Sequence, residues 1–217
     1  MTSEGKTTGN GTRLILASAS PRRRDLLRQS GYHFDVRPSK LNEPDANVTS
    51  VSTTQYAEAM SYFKARAVAE GFHRGIVLAA DTIVAYGDEL FGKPVDAADA
   101  QRILSTLCGT THSVITGVTV LDVATGRREI RHDTTNVTMR PMPDDVLRTY
   151  IESEAWEGKA GAYGIQDHGD AFIERIDGSF TNVVGLPMEM VTTMLADFGI
   201  VPGQQNVERG IRCPSGA

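Results

Sequence analysis

The apolar run Leu14-Ile15-Leu16-Ala17 meets Ser18-Ala19-Ser20-Pro21 with no residue between them, and this junction restricts the fold more than any other stretch of the chain. Four apolar residues in a row suit a strand buried on both faces, which belongs to a sheet covered by helices. A hydroxyl residue before proline marks a helix start: the side chain accepts from an early helical N–H, and the ring fixes φ where no N–H is needed. Strand followed at once by helix opens an α/β unit. The helix is predicted over Pro21–Gln29, with Leu26 and Leu27 inward and Gly31 as its stop.

The same signals continue downstream. Phe34–Val36 reads as a strand and 38–52 as a loop, after which Thr53 or Thr54 caps a helix carrying Tyr56, Ala57, Met60, Phe63, Lys64, Ala67 and Val68. Ile76–Ala80 is a second buried strand, ending in Asp81. Tyr86-Gly87-Asp88 is a turn, and Asp96 caps a helix whose apolar positions are Ala100, Ile103, Leu104 and Leu107 before Gly109 stops it. Two alternating segments, Ser113–Asp122 and Glu129–Arg140, join at Thr125-Gly126 as a long β-hairpin. Pro143–Glu152 is helical, Ala171–Ile176 is a strand, Gly178–Pro187 is a turn with a short extended segment, and Pro187–Phe198 is a closing helix. Polar flanks at 1–12 and 201–217 are expected to be disordered, leaving one folded domain over 13–200.

Composition narrows the function classes. With 217 residues and 40% hydrophobic content the chain closes a core without disulfide or metal staples. The net charge of -5, from 22 Lys+Arg against 27 Asp+Glu, gives no global field for a nucleic acid polymer or an anionic membrane, so a polyanionic ligand must be held by a local cluster. Cys108 and Cys213 form neither a disulfide framework nor a zinc spacing, and the five histidines show no metal-ligand pattern. The chain carries no signal-peptide pattern and no spanning segment, which points to a cytoplasmic protein that binds no membrane.

Four stretches can carry chemistry. In Ser18-Ala19-Ser20-Pro21-Arg22-Arg23-Arg24, hydroxyls and guanidinium groups gather at a helix start, which suits a phosphate; the same run also serves as a capped helix with a solvated basic face. Asp81-Thr82 follows a buried strand, placing an acid where α/β sheets bind ligands, although Asp is also a common turn residue. Glu43, in the loop after the first strand–helix–strand unit, is a possible second carboxylate. Two carboxylates beside a triphosphate can share a divalent ion, and Lys93-Pro94 adds a cation on a stiff turn. In Gly158-Lys159-Ala160-Gly161-Ala162-Tyr163-Gly164-Ile165-Gln166 the glycines allow a flat ligand to approach the backbone, and Gln166 can both donate and accept. Gly178-Ser179-Phe180-Thr181-Asn182-Val183-Val184-Gly185-Leu186-Pro187 offers polar groups for a substrate or for backbone capping. No Walker A or dinucleotide fingerprint occurs, and no Ser-His-Asp or Cys-His pattern recommends a covalent nucleophile.

Taken in order, Leu16–Arg23, Ala80-Asp81-Thr82-Ile83-Val84, Gly92-Lys93-Pro94, Gly158–Gln166 and Asn182–Pro187 resemble the Maf family, also called septum formation inhibitor proteins. The resemblance spans about Leu14 to Phe198 and is specific because five separate pieces keep their order. It implies a mixed α/β (α+β) fold of Maf/ITPase-like type: an elongated mixed sheet flanked by helices, and two lobes with a central cleft. It further implies homodimers, a divalent metal cation (Mg²⁺, Mn²⁺ or Co²⁺) and nucleoside triphosphate pyrophosphatase activity. By motif position Asp81 matches the general base, and Glu43 and Lys93 match polar residues around the phosphates and metal, with Glu43 and Asp81 as the metal carboxylates. Arg22, Thr82 and Gln166 fall where base preference is set, while Ser18, Ser20 and Arg23 belong to the substrate-binding helix start. Arg22 with Thr82 looks like the subgroup acting on dTTP and UTP, whereas a sister subgroup prefers 7-methyl-GTP. Asp167 departs from the glycine that commonly follows the glutamine.

The reaction implied is in-line attack of water on the α phosphorus, with Asp81 orienting or deprotonating the water, and with Arg23, Lys93 and the helix start stabilising charge. Two rivals remain at this level. One is a pyrophosphatase for modified purine nucleotides, and the other is a nucleotide-sensing regulator of cell division that does not turn its ligand over.

Overall fold

The computed structural model describes residues 12–41, 51–165 and 172–203. Strand β1 (Leu14–Leu16) is buried throughout, and helix α1 (Pro21–Gln29) follows it with Ser20 as N-cap and proline in its first turn, as the junction predicts. Strand β2 (Asp35–Val36) pairs in parallel with β1. Helix α2 (Thr53–Ala69) starts one residue earlier than expected, because Ser52 rather than a threonine caps it: Ser52 and Gln55 exchange side chain to backbone bonds in a capping box.

Strand β3 (Ile76–Tyr86) overruns the expected stop at Asp81. Asp81-Thr82 has the composition of a turn, yet β3 pairs along Ile76–Ala85 with the antiparallel strand β5 (Thr111–Asp122), and that ladder carries the strand through the polar pair. A tight turn at Gly87, whose φ is +59°, returns the chain as β4 (Glu89–Phe91). Helix α3 (Ala97–Leu107), capped by Asp96, leads into β5, and β5 forms the expected long hairpin with β6 (Arg128–Met139). Helix α4 (Asp144–Glu152), a 3-10 turn (Ala160–Ala162) and β7 (Ile173–Asp177) follow. The segment expected to be extended after Gly178 instead contains helix α5 (Phe180–Val184), capped by Ser179 and stopped by Gly185 at φ +117°; helix α6 (Met188–Asp197) closes the described chain.

These strands make one mixed seven-stranded sheet among the described residues, in the order β2-β1-β3-β5-β6-β7, with β4 attached to β3. Two features of this sheet create the site. First, one edge of β3 is shared: β1 takes Ile76–Leu78 and β4 takes Val84–Tyr86, so among the described residues no strand covers the stretch between them on that side. Second, successive side chains of β3 alternate between the faces. Val77, Ala79 and Ile83 pack under α2. Ile76, Leu78 and Ala80 enter a core built with α1, α5 and α6, while Val84 enters a separate core built with α3, α4 and Tyr163. Two separate cores thus lie on one face of the sheet, and Thr82 stands on β3 between the residues that enter them.

Candidate active site

A cleft of about 650 Å³ opens at the uncovered stretch of β3, with walls from the β1–α1 junction, α2, the segment after β4, the 157–165 segment and the end of α5. Ser18, Ser20, Arg22, Arg23, Asp81, Thr82 and Lys93, all singled out in the sequence, line it together. Glu43 and Gln166 lie outside the described residues, as does Asp167.

Asp81 sits at the floor, 6% exposed. Its Oδ1 accepts a hydrogen bond from Lys64 Nζ at 2.5 Å, a buried ion pair between β3 and α2. In the sequence Lys64 is one more position of the helix face; its place on the stripe Ala57, Met60, Lys64, Val68 is the signal that marks it, since a lysine on a buried stripe needs an anion. Lys159, also missed within the glycine-rich segment, is 6% exposed and lines the cleft, where its side chain fills the space that a Cβ at Gly164 would need.

Arg23 is committed to the protein. Its Nε donates to the Gly185 carbonyl at 2.7 Å, Nη1 to the Ala80 carbonyl at 2.7 Å and to Ser18 Oγ at 3.2 Å, and Nη2 to Thr82 Oγ1 at 2.9 Å. The Ala80 carbonyl faces the edge that neither β1 nor β4 covers, so the guanidinium satisfies an acceptor the sheet leaves open. Thr82 therefore accepts from Arg23 and donates to Thr116 Oγ1 at 2.9 Å, and Thr116 donates to the Asn182 carbonyl at 3.3 Å. Asn182, fully buried, donates to the Val114 carbonyl and to Thr135 Oγ1, each at 3.0 Å. The Asn182–Pro187 motif thus serves the backbone and, through Gly185, aims Arg23.

Asp81 and Thr82 are adjacent in sequence but face opposite sides of the sheet. Asp81 faces α2 and its lysine, and Thr82 faces the polar chain between the two cores. Arg22, on the exposed side of α1, donates across the cleft to the Gly158 carbonyl at 2.9 Å. Ser18 and Ser20 organise the helix start: Ser18 Oγ accepts from the Ser20 N–H at 3.2 Å, and Ser20 Oγ faces the Arg23 N–H at 3.5 Å.

Behind the wall formed by 157–165, Tyr163 Oη and His112 Nε2 share a hydrogen bond of 2.7 Å, and both residues are buried. Burial pushes the His112 imidazole down to about 4 and the Tyr163 phenol well up, so both are neutral at pH 7. Among the described cleft residues, five are cationic (Arg22, Arg23, Lys64, Lys93, Lys159) and two acidic (Asp81, Glu157). The chain as a whole carries -5, so this cleft is the local positive cluster that a polyanion requires. No group of three or more His, Cys, Asp or Glu suited to a metal occurs among the described residues, and no described helix is long and apolar enough to cross a membrane.

Comparison with known proteins fits this geometry. The Maf-like protein family matches residues 13–198. The chain is 42% identical over 184 residues to a dTTP/UTP pyrophosphatase of Ruminiclostridium cellulolyticum, covering 84% of this chain and 94% of that protein. It is 44% identical over 184 residues to a dTTP/UTP pyrophosphatase of Syntrophomonas wolfei, covering 85% and 96%. Among solved structures, a HAM1 protein from Coxiella burnetii aligns with a TM-score of 0.46 at 14% identity, over 86% of this chain and 100% of that one. On the family match over residues 13–198 and the relatives matched over nearly their whole length, and with the described motif residues lining one cleft, the chain belongs to the Maf family.

Proposed function

We propose that the chain hydrolyses dTTP, UTP and related pyrimidine nucleoside triphosphates between the α and β phosphates, releasing the monophosphate and pyrophosphate. The observation that carries this reading is the buried Asp81 carboxylate at the floor of a cleft whose other described charges are mostly cationic. The relatives named dTTP/UTP pyrophosphatases, matched over nearly their whole length, support the substrate class.

In this reading Lys93 and Lys159 hold the triphosphate, and Asp81, kept in place by Lys64, takes a proton from the attacking water. The water oxygen bonds to the α phosphorus as the bond to the bridging oxygen breaks, and pyrophosphate leaves with the electron pair. Arg23 acts from beneath, fixing the helix start and the Gly185 corner. Gln166 and Arg22 read the base, with Thr82 contributing through Arg23 and the polar chain behind it.

A divalent cation, Mg²⁺, Mn²⁺ or Co²⁺, belongs to the proposal. Asp81 Oδ1 is taken by Lys64, and its other oxygen has no protein partner among the described residues. One available carboxylate oxygen fits a hard ion that draws most of its ligands from phosphates and water. Asp81 would hold it together with Glu43, and the bound ion would neutralise triphosphate charge. A homodimer and a cytoplasmic setting complete the reading, on the family resemblance and the composition.

The test is a panel of UTP, dTTP, 7-methyl-GTP and ITP with Mg²⁺ or Mn²⁺, measured for wild type and Gln166→Ala. UTP and dTTP are expected to lead, and Gln166→Ala to lower their kcat/KM far more than that of the purine nucleotides, because a base-reading pocket loses its paired groups. A lead for 7-methyl-GTP or ITP overturns the substrate class, and nucleotide binding without turnover overturns the enzyme.

A further inference from the structure

Helix α2 approaches the sheet at one point more closely than a side chain would allow. Gly117 on β5 is the register partner of Asp81 on β3, so both residues present the face that α2 covers. A Cβ at Gly117 would stand 2.2 Å from the Ala57 carbonyl oxygen, 2.3 Å from the Ala57 carbonyl carbon and 2.5 Å from the Glu58 nitrogen. All three are backbone atoms, which no change of rotamer can move aside. The need for glycine here is one of space, since the residue lies within the regular β5 ladder.

Ala57, Ser61 and Lys64 occupy i, i+4 and i+7 positions on one stripe of α2. Ala57 takes the space that a side chain at 117 would fill. Ser61 Oγ shares a 2.7 Å hydrogen bond with Thr119 Oγ1, two residues along β5. Lys64 Nζ then reaches Asp81 Oδ1 at 2.5 Å. The first contact sets the depth of the helix and the second its position along the sheet, and the ion pair at the cleft floor follows from both.

We propose that Gly117 is a positioning residue for the reaction, its missing side chain seating α2 at the depth where Lys64 meets Asp81, with the Ser61–Thr119 bond fixing the helix lengthwise. This inference rests on the reading of Asp81 as the base. In Gly117→Ala the helix must retreat by most of an ångström to clear the new methyl group, which draws the lysine off the carboxylate. Turnover of UTP is expected to fall about twentyfold with KM changed less than about threefold, since the loss is in the chemical step rather than in substrate binding.

A double-mutant cycle with Lys64→Met separates positioning from general damage to the fold. With the lysine gone there is nothing left to position, so adding Gly117→Ala is expected to lower kcat by less than about twofold. Losses that multiply, or a Gly117→Ala enzyme with wild-type kcat, overturn the proposal. Should Gly117→Ala fail to fold, Thr119→Val enters the same cycle: a several-fold loss of kcat is expected, restored by Thr119→Ser and absent in the Lys64→Met background, and any other pattern counts against the proposal. Should Asp81→Asn keep more than about a tenth of the wild-type rate, the base assignment fails. A crystal structure of Gly117→Ala, or of Thr119→Val if only that variant folds, then decides the positioning claim alone: a Lys64–Asp81 separation beyond hydrogen-bond reach supports it, and one still at 2.5 Å overturns it.

Discussion

At the scale of single residues, two neighbours on one strand divide the work of the cleft. Asp81 is a buried anion whose partner is the α2 lysine, and Thr82 is a hydroxyl relay that accepts from Arg23 and donates to Thr116. The alternation of a strand separates these roles by turning consecutive side chains to opposite faces, so a polar pair needs no intervening residue to serve two networks. Replacing Asp81 with asparagine keeps the shape and an acceptor for Lys64 but removes the charge and the basicity. Asp81→Asn is therefore expected to abolish turnover of every nucleotide by a similar factor while leaving nucleotide binding intact. Retention of more than about a tenth of the wild-type rate, an effect under roughly 1.4 kcal/mol, would show that Asp81 is not the base. Equilibrium binding of UTP and steady-state rates on the same preparation provide the check.

At the scale of elements, the cleft is a consequence of unequal strand lengths: β1 and β4 each cover part of β3, and α1 supplies the guanidinium that closes the open carbonyl between them. The His112–Tyr163 pair ties β5 to the wall of the cleft and makes stability depend on pH. Folded His112 takes a proton only near pH 4 against 6.5 for an ordinary imidazole, so the unfolded chain binds more protons between those values. The contribution, on the order of 3 kcal/mol, is complete above pH 6.5 and is lost as pH falls toward 4. Urea unfolding at pH 7 and pH 5 is expected to show about 2 kcal/mol less stability at the lower pH from this group, and His112→Phe to remove that part of the slope. An unchanged slope in His112→Phe would assign the pH dependence elsewhere. Much of this level is legible in the sequence: α1 matches its expected bounds because capping residues, proline and the apolar positions are local signals. The passage of β3 through Asp81 was not legible, because only β5, some thirty residues on, overrides the turn character of Asp81-Thr82. Helix α5 was hidden by Val183-Val184, whose β-branched side chains suggest an extended chain, while the Ser179 cap and the Gly185 stop decide for a helical turn. Of the residues marked by motif, Ser18, Ser20, Arg22, Arg23, Asp81, Thr82 and Lys93 line one cleft, while Glu43 and Gln166 lie outside the described residues; Lys64 and Lys159, placed by packing between distant segments, were not legible.

At the scale of the whole molecule, an acidic chain gathers a local excess of positive charge at one cleft. Among the described residues five cationic groups against two acidic ones line the cleft, in a protein of net -5, which favours a triphosphate there over the rest of the chain. In the proposed reaction a divalent ion adds to that excess, because the attacking water approaches a phosphorus surrounded by negative oxygens. Turnover is expected to cease with EDTA and to return with Mg²⁺ or Mn²⁺, and full activity after exhaustive chelation would remove the metal from the account. Attack of water on the α phosphorus of a pyrimidine triphosphate can be followed by hydrolysing UTP in oxygen-18 water and resolving the products by mass spectrometry. UMP carrying the label and unlabelled pyrophosphate are expected in equal amounts; label in the pyrophosphate, or release of UDP with inorganic phosphate, would rule out attack at the α phosphorus.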